Sequence, residues 1–169
     1  MRGWIGRHRR SPKGSCPQVR RTALAAIILW AWGHLAACNS DIPEVAVAEM
    51  PSLGLVLTIT RVATHPFLAR YNLSMKAAAG TACSAASELF PDTGGVSRRN
   101  VYVGTTGLHY VVGQYDVRVF NRDRCSVELQ EFRLLESQID YLGTFDLDRD
   151  RRWRFFPPAA RPEQPFEKL

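Results

Sequence analysis

Apolar and polar residues alternate along short segments of this chain, and this period of two constrains its fold more than any other feature. Between residues 53 and 62, Leu55, Leu57 and Ile59 fall on one face and threonines on the other. Residues 67–76 alternate in the same way. Because successive side chains of a β-strand point to opposite faces, each segment is typical of a strand with one buried face.

Further short runs of β-branched, aromatic and aliphatic residues are separated by turns rich in Gly, Asn and Asp. They are residues 101–103, 108–112, 115–120, 125–129, 141–147 and 152–156. A helix is expected only near 81–89 and 134–139. The pattern predicts an all-β fold, either an antiparallel β-sandwich or a small barrel, of about seven to eight short strands.

Positive charge is concentrated at the start of the chain. The chain has 22 Lys and Arg and 16 Asp and Glu, which gives a formal net charge of +6. Seven of the basic residues and none of the acidic ones precede Cys38, so the net charge after it is −1. Nucleic-acid binding depends on a basic surface that displaces counterions. The chain beyond Cys38 therefore gives no indication of a nucleic-acid partner.

An uncharged apolar run of fifteen residues, 23–37, follows the basic segment and ends at Cys38. Its length matches the hydrophobic region of a secretory signal and falls short of the roughly 20 residues that a membrane-spanning helix needs. The sequence therefore predicts a signal peptide over residues 1–37, with a helical hydrophobic region. An uncleaved anchor and an ordinary cleaved signal are the alternatives.

The last residues of this region form the tetrad Leu35, Ala36, Ala37 and Cys38. With the run before it, the tetrad resembles the lipobox of bacterial lipoproteins, and the resemblance covers residues 1–39. It implies that the sulfur of Cys38 receives a diacylglyceryl group, that the signal peptide is cut just before this residue, and that the new N-terminus is acylated too, palmitate being the expected fatty acid. Two or more acyl chains hold a protein firmly on a bilayer. Membrane lipid is thus an expected partner, through Cys38.

The residue after the lipidated cysteine indicates which membrane a lipoprotein is sent to. In the families that sort lipoproteins by this residue, Asp favours retention in the inner membrane, and this chain has Asn39. The resemblance therefore implies a bacterial cell envelope, with a lipid anchor in the outer membrane and a domain that faces the periplasm.

Composition divides the rest of the chain into three parts. Residues 38–52 hold the lipidated cysteine and a segment with two prolines, which is predicted to be a flexible tether whose fourteen residues after Cys38 span at most about 46–50 Å. Residues 53–156 form the predicted β-domain. Residues 157–169 are rich in proline, which cannot join a β-ladder, and are expected to form an extended tail that is either solvated or docked on a partner.

Two cysteines follow Cys38, namely Cys83 and Cys125, which are 42 residues apart. Thiols in an oxidising compartment pair by default, and the loop that this pair would close corresponds to roughly 4 kcal/mol of stabilisation. A structural disulfide is predicted, with a redox-active pair as the alternative. Because there is no Cys-x-x-Cys motif and no Cys/His cluster, zinc is not indicated, and no metal or cofactor is expected.

Alternating carboxylates between Asp146 and Asp150 are similar to the opening of a calcium loop. An EF-hand then requires Gly at its sixth position and Glu at its twelfth, where this chain has Arg151 and Pro157. Because arginines are interleaved with the carboxylates, we predict a salt-bridged hairpin turn, with a metal site as the alternative.

The remaining candidates for chemistry are few. His65 and His109 are the only histidines after Cys38, and neither accompanies a nucleophile motif such as Gly-x-Ser-x-Gly, so no catalytic residue is assigned.

Two clusters have a structural interpretation and a binding interpretation. Arg98 and Arg99 are expected in a polar loop, with contact to an anionic partner as the alternative. Trp153, Phe155 and Phe156 are expected in the core and at its edge, with an exposed aromatic contact patch as the alternative.

These features favour a non-enzymatic lipoprotein whose disulfide-bonded β-domain binds another envelope protein or supports an assembly. The second hypothesis is an inhibitor of a lysozyme or protease that uses a protruding loop at residues 90–100. The third is a hydrolase built around His65 or His109.

Overall fold

The computed structural model describes residues 42–94 and 96–166, and this part of the chain contains ten β-strands. The first five are β1 (Glu44–Met50), β2 (Leu55–Ala63), β3 (Tyr71–Ala79), β4 (Cys83–Asp92) and β5 (Arg99–Gly104). The others are β6 (His109–Val112), β7 (Val117–Asn121), β8 (Ser126–Gln130), β9 (Ile139–Leu147) and β10 (Trp153–Phe156). Two short 3₁₀ turns, Pro51–Leu53 and Phe132–Leu134, complete the regular structure.

The strands form two antiparallel sheets, one of four strands in the order β1-β2-β3-β4 and one of six in the order β10-β9-β5-β6-β7-β8. Both sheets are open, so the fold is a β-sandwich and not a closed barrel. The all-β prediction is confirmed, although the strands number ten and not seven or eight. Among the described residues, no helix has the length and apolar character needed to cross a membrane.

The main core lies between the sheets and follows the predicted alternation. In β2, Leu55, Leu57 and Ile59 are almost completely buried, as the sequence predicted. Burying an aliphatic side chain of this size contributes about 1.5–3 kcal/mol. The six-stranded sheet supplies the opposite wall of the same cluster, chiefly through Val101, Val111, Phe120, Phe145 and Trp153.

The predicted tether is shorter than the sequence suggested, because residues 44–50 form β1. This strand pairs with β2 along its whole length, from Glu44 opposite Arg61 to Met50 opposite Leu55. Its buried positions are filled mainly by alanine, and prolines flank it, so its period-two pattern carries little hydrophobic signal. The small size of these buried residues explains the error.

The helices expected near 81–89 and 134–139 were wrong. Residues 83–92 form β4, where small and polar residues alternate between half-buried and exposed positions against β3. Residues 132–134 form a 3₁₀ turn, and residue 139 begins β9. Alanine, serine and glutamate tolerate a helix well, but pairing with a neighbouring strand overrides that propensity.

A second, smaller core covers the outer face of the six-stranded sheet. It contains Tyr102, Tyr110, Val112, Val117 and Val119. Two segments pack over this face: residues 131–138, which connect β8 to β9 and which we call the crossing segment, and residues 157–166, which we call the strap. The proline-rich tail is therefore docked on its own domain as far as residue 166.

The two ends of the sandwich differ in what they carry. The chain enters β1 at one end. Four connections lie at the same end: the β2–β3 loop (64–70), the β4–β5 connection, the β6–β7 turn (113–116) and the β9–β10 turn (148–152). We call this the entry end. At the opposite, disulfide end, the β1–β2 turn approaches the β7–β8 turn, and Cys83 meets Cys125.

Candidate binding surface

The outer face of the four-stranded sheet is an open surface built by strand register. Residues that are directly opposite each other form two rows across the strands: Val45, Thr60, Ser74 and Glu88 in one, and Val47, Thr58, Lys76 and Ala86 in the other. On β1, β2 and β3 these side chains alternate with buried residues, and on β4 they alternate with buried or half-buried ones. The pattern that buries Leu57 and Ile59 therefore also places the hydroxyls of the neighbouring threonines on the outside.

A shallow concavity of about 400 Å³ lies on this face. Its lining includes Thr58, Thr60, Ser74, Lys76, Ala86 and Glu88. Valines 45 and 47 on β1 are 53% and 47% exposed beside it. The concavity and its border thus combine hydroxyl donors and acceptors, one cation, one anion and two exposed aliphatic side chains.

The corresponding face of the other sheet is closed by the strap. The Tyr102 hydroxyl donates to Glu163 Oε1 at 2.9 Å, and Asn100 Nδ2 donates to the Gln164 carbonyl at 2.9 Å. At its end, Phe166 stacks under the Arg98 guanidinium, which is 4.5 Å from the ring centroid. Of the two outer faces, the four-stranded one is therefore the accessible one.

The crossing segment is fixed by Glu136. Its carboxylate accepts hydrogen bonds from Thr105 Oγ1 at 2.7 Å, from Thr106 Oγ1 at 2.5 Å and from the Tyr110 hydroxyl at 2.8 Å. These bonds, from Thr106, Thr105 and Tyr110, lower the pKa of Glu136 to about 2. Burial together with the Glu136 contact raises the pKa of Tyr110 to about 12.

Arg99 lies in a buried ionic cluster at the entry end and not in the polar loop that the sequence predicted. Its guanidinium is 3.6 Å from Asp116 Oδ1 and donates to the Phe90 carbonyl at 2.9 Å. Asp116 is 2% exposed, accepts the Phe90 backbone N–H at 2.9 Å and lies 3.7 Å from Arg118 Nε. Burial lowers the pKa of Arg99. The cluster ties the end of β4 to the six-stranded sheet and leaves Arg99 no free face for an anionic partner.

The same cluster holds the β4–β5 connection against the domain. Arg99 Nη1 donates to the carbonyl oxygens of Val96, Ser97 and Arg98, and Asp92 accepts the backbone N–H of Gly94. An inhibitory loop at residues 90–100 was predicted to protrude, whereas this segment is bonded to the sheet at both of its ends. Inhibition of a lysozyme or protease stays a prediction that this geometry does not favour.

The predicted disulfide is present. Cys83 at the start of β4 and Cys125 in the β7–β8 turn are bonded, with their Cα atoms 5.5 Å apart. The bond connects one edge strand of each sheet at the disulfide end. The lipobox residues Leu35, Ala36, Ala37 and Cys38, and the signal peptide before them, lie outside the described residues.

The two histidines occupy separate, structural positions. His65 Nδ1 accepts the backbone N–H groups of Phe67 and Leu68, each at 3.1 Å, within the β2–β3 loop. His109 is 5% exposed, and neither of its ring nitrogens has a hydrogen-bond partner among the described residues. Burial and the nearby Arg122 lower the pKa of His109. The geometry does not bring the two histidines together, and hydrolysis at either stays a prediction.

The aspartates between 146 and 150 form the salt-bridged turn that the sequence predicted. Asp148 accepts the backbone N–H of Asp150 and of Arg152, and it pairs with the guanidinium of Arg152 at 3.2 Å and of Arg154 at 2.8 Å. The hydrogen bond from the Arg152 backbone is the main reason that the pKa of Asp148 is lowered. No group of three or more potential ligands for a metal ion occurs in the described part of the chain.

Of the C-terminal aromatic residues, Trp153 is buried in the core, and Phe155 and Phe156 are half-buried. Phe155 packs on Phe145 with ring centroids 5.0 Å apart, and the Arg161 guanidinium of the strap lies 3.9 Å from the Phe156 ring centroid. The expected core and edge positions are confirmed. The alternative was an exposed aromatic contact patch, but the strap covers the Phe156 side of this surface.

No protein-family model matches this chain, no curated protein is significantly similar to it in sequence, and no solved structure is significantly similar to its fold. What the chain does must therefore be inferred from its own residues.

Proposed function

We propose that this protein is an envelope lipoprotein, anchored through acylated Cys38, whose β-sandwich binds another envelope protein through the outer face of the four-stranded sheet. The observation that carries the binding proposal is the asymmetry of the two outer faces. The strap and the crossing segment cover one, and the other presents uncovered Thr58, Thr60 and Val47.

The size of this face indicates the kind of complex. Four strands about 4.8 Å apart and about seven residues long give a surface of roughly 19 by 23 Å, on the order of 400 Å². A standard interface buries about 800 Å² on each partner. The partner therefore also contacts surface beyond this face, or the complex is a transient one.

A photo-crosslinking amino acid at Thr58, in the full chain in its own cells, tests the surface. We expect one dominant adduct with an envelope protein, because Thr58 is at the centre of the open face. The same amino acid at Thr81, in the β3–β4 turn at the disulfide end, is the matched control. The added variant Thr60→Arg should abolish the Thr58 adduct by placing an unpaired charge in the interface. An adduct that persists in Thr60→Arg, or that forms equally from Thr81, would contradict the proposal.

Labelled palmitate tests the anchor. The wild-type chain and Cys16→Ala are expected to incorporate the label, and Cys38→Ala is expected to lose it, since only Cys38 ends the lipobox. Cys16 is a suitable control because it is a cysteine of the same chain that lies before the tetrad. Equal labelling of Cys38→Ala and the wild type would refute lipidation at this position.

Placement in the outer membrane has a separate test. Asn39→Asp should move the lipidated protein from the outer-membrane fraction to the inner-membrane fraction of the separated envelope. Outer-membrane recovery unchanged by the substitution would contradict sorting by residue 39.

A further inference from the structure

Exposed apolar side chains are concentrated at the entry end of the sandwich. Phe67 and Leu68 at the tip of the β2–β3 loop are 90% and 48% exposed, the first being the most exposed large apolar residue described. Ile42, Phe90, Val96 and Tyr115 are exposed at the same end. At the disulfide end, the turns of the described chain contain no large apolar side chain with this degree of exposure.

The β2–β3 loop is shaped in advance. The Thr64 backbone N–H donates to the Arg70 carbonyl at 2.9 Å and closes the base of the loop. His65 Nδ1 accepts the backbone N–H groups of both tip residues at 3.1 Å. A tip whose backbone is already fixed loses little conformational freedom when its side chains are bound.

The loop extends beyond the point where the chain enters the domain. Glu44, the first residue of β1, is opposite Arg61, whereas β2 and β3 continue to the pair Ala63 and Tyr71. Two further residues advance a strand by about 7 Å, and the loop of residues 64–70 begins there. Phe67 and Leu68 are therefore carried past the start of β1, on the side from which the chain arrives.

The length of chain before β1 limits how far this end can be from Cys38. Glu44 is six positions after Cys38, and six extended Cα-to-Cα steps span at most about 20–22 Å. This is less than half of the reach expected when residues 39–52 were assigned to the tether. If Cys38 carries lipid, the entry end must remain near the bilayer.

Charge at the entry end also suits a membrane surface. Arg70 at the base of the loop is exposed, and so are Arg149 and Arg151 in the β9–β10 turn. Basic side chains next to an apolar tip are attracted by anionic headgroups, and this attraction adds to apolar burial.

We propose that the β2–β3 loop is a second membrane contact, which inserts Phe67 and Leu68 into the interfacial region of the bilayer that holds Cys38. This proposal rests on the proposed lipidation of Cys38, because the short tether is what directs the loop toward lipid. The lipid anchor and the loop together fix the orientation of the sandwich, with its long axis away from the bilayer and the disulfide end outermost.

Tryptophan fluorescence in the full chain tests the contact. Phe67→Trp and the control Thr81→Trp are purified from membranes and reconstituted into vesicles of phosphatidylethanolamine and phosphatidylglycerol, with and without brominated acyl chains. Tryptophans of the native sequence, including the buried Trp153, are common to all samples, and the emission of the wild-type chain is subtracted. Both substitutions replace exposed residues outside the strands, so we expect the variants to fold like the wild type. We expect at least twofold quenching at position 67 and no quenching at position 81.

Mass spectrometry of the peptide that contains Cys38, taken from the same sample, distinguishes the proposed loop contact from the proposed lipid anchor. With lipid present, unquenched emission from the indole introduced by Phe67→Trp, or equal quenching at positions 67 and 81, would overturn the loop contact and leave the anchor intact. With no lipid on Cys38, the anchor fails. Quenching specific to position 67 would then still support the loop, and its absence would reject both.

Discussion

Trp153 Nε1 donates a buried hydrogen bond of 3.1 Å to the backbone carbonyl of Ile59, and this bond joins the two sheets of the sandwich. Next to it, the Arg61 guanidinium lies over the Tyr71 ring at 4.2 Å and over the Trp153 ring at 5.2 Å. Glu44 accepts from Arg61 Nη2 at 3.0 Å. The first strand, the second strand and the last strand are thus connected through one indole and one guanidinium.

Replacing the indole should weaken this connection. Trp153→Phe keeps an aromatic ring against Phe145 but removes the donor to Ile59 and part of the buried volume. We expect a loss of about 1–3 kcal/mol in the free energy of unfolding, measured by urea titration. Arg154→Gln, which alters the exposed neighbour, should cost less than about 1 kcal/mol. Equal stability of Trp153→Phe and Arg154→Gln would contradict the assigned role.

Removing the disulfide should destabilise the domain more than either of these changes. The double variant Cys83→Ala/Cys125→Ala loses a cross-link between residues 42 positions apart, and a loop of this length corresponds to roughly 4 kcal/mol. Urea midpoints measure the loss. The wild-type protein in excess reductant should unfold near the midpoint of the double variant. A reduced wild type as stable as the oxidised protein would show that the bond has no such effect.

Neutralising Asp116 should leave a buried cation without its partner. Asp116→Asn keeps an oxygen for the Phe90 N–H but removes the charge that faces Arg99. Breaking a buried ion pair in this way costs about 3–5 kcal/mol, which thermal or urea unfolding would detect. Asp150→Asn is the matched control, because its pair with Arg152 is exposed and contributes less than about 1 kcal/mol. A loss as small as that of the control would contradict a stabilising role for the buried pair.

Buried His109 should give the domain a pH-dependent stability. Its pKa is lowered in the folded state, so below the unfolded value of about 6.5 the unfolded chain binds a proton that the folded chain excludes. Stability should therefore be full above that value and decrease as the pH falls from about 7 to 5. His109→Leu should flatten this part of the curve of unfolding free energy against pH. An unchanged slope would show that His109 does not contribute.

Strong local patterns made much of this fold predictable. In β2 the large apolar side chains of Leu55, Leu57 and Ile59 all fall on one face, so the sequence predicted both the strand and its buried face. The pairing of Cys83 and Cys125 could be predicted without geometry, because they are the only two cysteines after Cys38 and the expected compartment is an oxidising one. The turn at Asp148 followed from carboxylates and arginines that are neighbours in the chain.

The rest depended on contacts between distant residues. β1 and β4 bury mainly alanine and serine, and only the neighbouring strands reveal them as strands. Arg99 appeared to belong to a polar loop because its partner Asp116 is seventeen residues away and its carbonyl acceptors are backbone atoms. The open face of the four-stranded sheet was not predicted either, because it is distinguished from the other outer face only by the strap, whose docking the sequence does not reveal.

The bridge between Cys83 and Cys125 has a consequence for how the protein matures. This bond lies at the disulfide end of the sandwich, opposite the entry end. If Cys38 is acylated as proposed, the thiols of Cys83 and Cys125 belong to the end of the domain that is farther from the chain entry, so that oxidation and acylation need not occur in a fixed order.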